Sequence, residues 1–197
     1  MEFLLNIDRE VFLLVNHGFT SGALDSVMTY VTEKFNFLGA IIVAAILILV
    51  LGKRKDRVGL ILLVVLVLLS DLASNLLKQA FMRVRPCNAI EGVRLLVGCG
   101  GSYSLPSGHA TNIFSAMVFL ALRYKKFAPA FLVMAVAVSY SRVYVGVHYP
   151  FDVLSGAFLG SIMAYGFTIA EKRFITGKFK PLEAPGDEDK ERGRFEA

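Results

Sequence analysis

Residues 58–80 form an apolar run that no small soluble domain accommodates easily, with an unbroken stretch of ten aliphatic residues from Leu60 to Leu69. About 20 apolar residues suffice to cross the hydrocarbon core of a bilayer as a helix. Comparable runs recur at residues 35–51, 107–122, 127–148 and 151–170, in a chain of 197 residues that is 55% hydrophobic. The spacing predicts an all-α, polytopic membrane helical bundle with five spans. Residues 2–17 mix apolar and charged side chains at helical spacing, which predicts an amphipathic helix in the membrane interface. That gives six helices in all. The expected organisation is one membrane domain over 1–174, with the interfacial helix in 1–30 and the bundle in 35–172. The polar segment 175–197 reads as a disordered cytoplasmic tail. Asp8, Arg9 and Glu10 interrupt the first apolar stretch and no basic leader precedes it, which argues against a cleaved signal peptide.

The net charge is +5, but the basic residues gather in short loops. They are topology signals and not a nucleic-acid footprint, so no nucleic-acid partner is expected. The clusters at 53–57, 123–126 and 172–180 fall on one face when five spans alternate, and the positive-inside rule assigns that face to the cytoplasm. The opposite face receives Lys78, Arg85, Ser107, His109, Arg142, His148 and Asp152. Charge bias and the positions of the reactive side chains are separate signals, and they agree.

Ionisable groups at membrane depth are costly unless paired or used. Lys78 and Arg85 lie seven residues apart, so a continuous helix would place them about 10 Å apart on one face. With Arg142 they make a set suited to phosphate, which arginine grips as a planar fork and lysine as a compact charge. The simpler alternative is that Lys78 and Arg85 snorkel to the interface. Pro106-Ser107-Gly108-His109 opens a span; Ser107 is a good N-cap, Gly108 permits close backbone approach, and helix N-termini bind anions. An ordinary capping turn beside an interfacial histidine is the alternative.

His148 and Asp152 flank a Tyr-Pro break, with Asp152 in the first turn of the next helix, able to reach an imidazole nitrogen. A carboxylate there fixes the tautomer and raises the basicity of the ring, and histidine can form a covalent intermediate. A solvated corner with a capping aspartate is again the alternative. With one carboxylate among several cations, neither a metal nor another cofactor is expected. Metal-free phosphoryl transfer is the chemistry that uses all these groups, since offsetting charge on the non-bridging oxygens is its main task.

Lys78-x6-Arg85-Pro86, Pro106-Ser107-Gly108-His109 and Ser141-Arg142-x5-His148-x3-Asp152, in this order, resemble the tripartite signature of the type 2 phosphatidic acid phosphatase superfamily. The resemblance covers roughly residues 58–170. It implies a helical-bundle membrane phosphatase in which His148 becomes a phosphohistidine, Asp152 orients it, and His109 protonates the leaving oxygen and then activates water. Lys78, Arg85, Arg142 and the backbone at Ser107 and Gly108 would hold the phosphoryl oxygens. The residues alone do not tell nucleophile from acid between the two histidines.

The resemblance implies an enzyme of the bacterial cytoplasmic (inner) membrane with its site on the periplasmic face. Its substrate would be an anionic phospholipid or lipid pyrophosphate: undecaprenyl pyrophosphate, phosphatidylglycerol phosphate or the 1-phosphate of lipid A. The alternatives are transfer of the phosphoryl group to a second lipid and, in a different class, a non-enzymatic lipid or anion transporter, although no paired repeat of broken helices is present. Oligomeric state is not legible. Asp71 and Asn75 either support the site from behind or satisfy one another across helices. Cys87 and Cys99 share one loop, either bridged or as free thiols. Residues 90–97 in that loop form a lid or simply dip into the interface.

Overall fold

A computed structural model describes residues 2–18 and 20–174. These residues form helices and loops without a β-strand. The helices are α1 (Glu2–Gly18), α2 (Gly22–Thr32), α3 (Leu38–Leu51), α4 (Arg54–Phe81), α5 (Pro86–Ala89), α6 (Gly108–Arg123), α7 (Ala128–Tyr144) and α8 (Pro150–Phe174). The expected total of six is therefore corrected to seven helices of at least eleven residues plus the four-residue α5, among the described residues. The region 1–30 is not one helix. Helix α1 ends at Gly18, and Ser21 caps a second, its hydroxyl accepting from the Leu24 amide at 3.2 Å. The tail expected over 175–197 lies outside the described residues.

Four helical stretches, Lys34–Leu51, Arg54–Ala89, Lys125–Tyr144 and Pro150–Arg173, are long and apolar enough to cross a membrane. The fifth expected span is α6, whose 16 residues reach about 24 Å. It sits at the centre, packed on α4, α7 and α8. The chain is thus a membrane-embedded helical protein whose apolar surface faces outward: Val133 is 69%, Phe158 70% and Leu51 76% exposed. None of α3 is buried, as suits a peripheral helix that is apolar all round.

Close approach of α8 to α6 comes from Gly156 and Gly160. A Cβ on Gly156 would lie 2.6 Å from the Ser107 carbonyl oxygen, and one on Gly160 would collide with the Thr111 carbonyl oxygen. This small-x3-small pattern lets backbones touch where lipid supplies no hydrophobic drive. Beneath it, Leu66, Phe119 and Ala164 form a core across α4, α6 and α8.

The turns of two hairpins, α3–α4 and α6–α7, meet the C-terminal end of α8. Arg123 donates to the Glu171 carboxylate and to the Lys55 carbonyl oxygen, and Tyr124 donates to Asp56 at 3.0 Å. At the other end α1 buries Asp8, Phe12 and Asn16 on α7 and α8. The loop after α5 is stitched down there: the Leu96 amide donates to the Val145 carbonyl oxygen at 3.2 Å, and the Arg94 amide to Asn16 Oδ1 at 2.9 Å. Residues 94–96 are therefore part of the wall and not a free lid.

Candidate active site

Each signature segment reaches the same end of the bundle through a backbone irregularity. Helix α4 stops at Met82, a left-handed residue with φ 47° whose amide still donates to the Lys78 carbonyl oxygen at 2.9 Å. That conformation costs a non-glycine residue about 1–2 kcal/mol. It turns the chain so that Arg83 and Arg85 point inward instead of continuing up the helix. Helix α6 starts at Gly108 behind the buried cap Ser107, whose own amide donates to the Asp152 carbonyl oxygen at 2.8 Å.

Helix α7 ends at Tyr144, not at His148 as its apolar run suggested, because Gly146 takes φ +89°. A Cβ there would also sit 2.8 Å from the Arg94 carbonyl oxygen, so glycine alone fits the turn. The turn folds back until the His148 amide donates to the Arg142 carbonyl oxygen at 3.3 Å.

Asp152 is fully buried and saturated. Its Oδ1 accepts from Arg83 Nη1 at 2.7 Å; its Oδ2 accepts from the Tyr149 amide at 2.9 Å and from the Ser104 hydroxyl. His148 Nδ1 lies 3.5 Å from Asp152 Oδ2 and 3.3 Å from Ser104 Oγ. A hydroxyl that gives its proton to the carboxylate accepts from the ring, so the partners assign the proton to Nδ1 and leave Nε2 its lone pair. That nitrogen faces Arg85 Nη1 at 3.3 Å. Burial pushes the His148 pKa from 6.5 down to about 4, and the neighbouring Arg85 pushes the same way, against the hydrogen bond to Asp152. The resting ring is neutral.

The cations around it have no carboxylate partner among the described residues. Arg85 Nε donates to the Ser102 carbonyl oxygen at 2.7 Å and its Nη2 to the Ser102 hydroxyl at 3.0 Å. Lys78 Nζ donates to the Tyr103 carbonyl oxygen at 2.7 Å. Arg142 Nη1 donates to Thr32 Oγ1 at 2.6 Å, while its buried Nε has no hydrogen-bond partner. His109, in the first turn of α6, lies within electrostatic reach of Arg142, His148 and Arg85. Gly108 packs beside Lys78, whose Cε would be 3.9 Å from an added Cβ. Lys78, Arg85, Ser107, Gly108, His109, Arg142, His148 and Asp152 thus gather at one end of the bundle.

Asp71 and Asn75 do not join them. They hydrogen-bond each other at 3.0 Å, and Asn112 donates to Asp71 at 3.0 Å, lower on α4 and α6. Cys87 and Cys99 are joined in a disulfide with Cα atoms 6.2 Å apart, closing the start of the loop that carries Ser102 and Ser104. Three site residues escaped the sequence reading. Ser104 stands two positions before the Pro106 motif, and Arg83 lies inside the Lys78–Arg85 interval. Asp8 is buried on α1, accepting from Arg83 Nη2 at 2.6 Å and from the Phe151 amide of α8 at 2.8 Å. The first two were visible as polar residues beside a motif; nothing local marked Asp8.

The sequence and the fold have counterparts in known proteins. A family model described as the PAP2 superfamily matches residues 59–175. An undecaprenyl-diphosphatase from Sulfolobus acidocaldarius is 33% identical over 180 residues, covering 91% of this chain and 84% of that protein. A lipid A 4'-phosphatase from Porphyromonas gingivalis is 31% identical over 176 residues, covering 84% and 73%. The crystal structure of a transmembrane PAP2-type phosphatidylglycerolphosphate phosphatase from Bacillus subtilis superposes with a TM-score of 0.70 at 23% identity, over 88% of this chain and 89% of that one. Sequence match, shared helical fold and a buried histidine among unpaired cations converge: this chain belongs to the PAP2 superfamily.

Proposed function

We propose that this membrane phosphatase hydrolyses the terminal phosphate of an anionic lipid through a phosphohistidine at His148. The observation that carries the reading is the pair of contacts on that ring: Nδ1 held by Ser104 and Asp152, and an unprotonated Nε2 that faces Arg85 Nη1 at 3.3 Å. Nε2 attacks phosphorus while the bond to the lipid oxygen breaks. His109 gives the leaving oxygen a proton. Water, losing a proton to the same imidazole, then cleaves the phosphorus–nitrogen bond and releases inorganic phosphate. Lys78, Arg85, Arg142 and the amides at the start of α6 offset charge on the non-bridging oxygens. The buried, unpartnered Nε of Arg142 supports that role.

The distribution of charge supports a site on the extracytoplasmic side of a cytoplasmic membrane, since the Arg123 end is the basic one. The names of the relatives support a lipid phosphate or diphosphate as substrate. The test is phosphate release from a panel of purified lipid phosphates in detergent, with His148→Ala as blank and no acceptor lipid present. Release by the parent protein and none by the variant is expected. Turnover by the variant would exclude the covalent route, and release that requires an added acceptor lipid would replace hydrolysis by transfer.

A further inference from the structure

Residues 102–104 are a common support for the reactive groups. The Ser102 carbonyl oxygen and hydroxyl accept from Arg85 Nε and Nη2 at 2.7 and 3.0 Å, and the Tyr103 carbonyl oxygen accepts from Lys78 Nζ at 2.7 Å. Ser104 meets His148 Nδ1 at 3.3 Å and donates to Asp152. The segment lies outside every helix, and its two ends are fixed differently. On the far side the Ser104 amide donates to the Arg83 carbonyl oxygen at 2.8 Å, and α6 follows directly. On the near side stand Gly98, Gly100 and Gly101, and glycine loses more backbone freedom on ordering than any other residue. Ser102 itself is exposed. A cavity of about 180 Å3 opens beside it, lined by Asn88 of α5 and by Gly100, Gly101 and Ser102.

The disulfide fixes this near side. Cys87 stands two residues after Arg85 and Cys99 three residues before Ser102, so the bridge closes a short covalent circuit around the Arg85–Ser102 contact. The tip of the same loop is held without it: Arg94 pairs with Asp25 at 2.7 Å, and the Leu96 amide donates to the Val145 carbonyl oxygen. Cleaving the bridge therefore leaves the loop tip on the wall of the bundle and frees the glycine-rich stretch 97–102. Both cysteines are half-buried between exposed neighbours, within reach of a small reductant.

We infer that the Cys87–Cys99 bridge is a positioning element for Arg85, and that the protein turns over at full rate only with the bridge closed. The inference rests on the phosphatase reading above and adds its control by the redox state of this loop. A dithiol opens the bridge by giving two electrons and two protons: the sulfur–sulfur bond breaks, two thiols form, and the reductant closes into a cyclic disulfide. Ser102 then leaves Arg85, and the guanidinium beside His148 Nε2 loses its fixed aim. Lys78 and Arg142 keep their own partners, so substrate binding suffers less than the chemical step. Most cytosols keep thiols reduced, so the bridge ties full activity to an oxidising compartment.

The test compares the purified full chain in detergent before and after dithiothreitol, with free thiols counted, beside a Cys87→Ser/Cys99→Ser variant. Phosphate release from undecaprenyl diphosphate and from lipid A is followed at a temperature where melting curves show every form folded. Reduction is expected to lower kcat about tenfold with KM within about twofold, since misplacing one catalytic group by about 1 Å costs up to about a hundredfold. Reoxidation with oxidised glutathione should restore the rate, and the double-serine variant should be slow from the start and indifferent to dithiol. Unchanged kcat in protein with two titrated thiols would overturn the inference, as would a loss of rate matched by loss of folded protein, or a dithiol effect that persists in the double-serine variant. Where the bridge resists the dithiol, a double-serine variant with the parental kcat overturns it equally. Absence of phosphate release by the oxidised protein from every lipid phosphate would instead overturn the phosphatase reading itself.

Discussion

Arginine appears at both ends of this bundle, and the two populations are held differently. At the basic end Arg123 is saturated: Glu171, the Lys55 carbonyl oxygen and, 3.9 Å away, Asp56 surround it. At the other end Arg85 and Arg142 are buried with hydroxyls, carbonyl oxygens and a histidine for company, and without a carboxylate. Arg83 stands between the two patterns, at the reactive end but locked by Asp8 and Asp152 at 2.6 and 2.7 Å. A buried cation whose charge is answered by the protein serves the fold. One whose charge is left unanswered is poised for an anion that arrives later, and the protein bears that cost in stability.

The comparison breaks most visibly in kinetics. Arg142→Ala is expected to lower kcat/KM by about 10²–10³, the scale of one lost oxyanion donor, without lowering the thermal midpoint. Arg123→Ala should do the reverse, lowering the midpoint by several degrees with kcat within about twofold of the parent, because it strands Glu171, while Asp56 keeps the Tyr124 hydroxyl. Calorimetry and steady-state rates on the two variants decide it; equal thermal losses would erase the distinction.

Arg83 sharpens the comparison. Its guanidinium links Asp152 to Asp8 on a helix outside the family match, and Asp8 also accepts from the Phe151 amide at the start of α8. Asp8→Asn is expected to reduce kcat about tenfold with KM nearly constant. Arg83→Ala should cost more, and the double variant little more than Arg83→Ala alone, since the two residues act in series. Additive losses would mean that Asp8 acts only on folding.

The pH response follows from the burial of His148. With its pKa depressed to about 4 against 6.5 unfolded, the ring proposed as nucleophile stays neutral well below pH 6. The acid limb of kcat/KM assigned to this ring should therefore fall near pH 4, not 6.5. Stability has the same sign: the unfolded chain takes up a proton that the folded ring refuses, so stability is full above pH 6.5 and declines as pH falls toward 4. An acid limb near 6.5 would mean that the ring is charged at rest. The smallest expected effect is that of EDTA: the cation-rich site should keep its rate in chelator, and loss restored by magnesium would contradict it.

What was legible in the sequence was whatever is local. Apolar runs, basic loops and the three motifs each signal within a few residues, so the bundle, its charge polarity and the gathered cations were readable. Long-range contacts were not. Asp8 meets Arg83 across 75 positions, and its helix looked like an ordinary interfacial one because its outward face is apolar. Helix ends were readable but missed. Gly18 and Ser21 mark the break that makes two helices of one, and Gly146 marks the end of α7 before His148. Gly156 and Gly160 spelled the α6–α8 contact just as plainly. Asp71 and Asn75 sit in a motif-bearing span, yet helical spacing alone does not tell a polar residue behind the site from one below it.

The most direct test is to mix the protein with a lipid carrying labelled terminal phosphate, quench within a turnover, and map the label. The account predicts an acid-labile phosphoryl group on His148 Nε2, absent from His148→Ala. Label on another residue, or hydrolysis by His148→Ala at the parental rate, would contradict it.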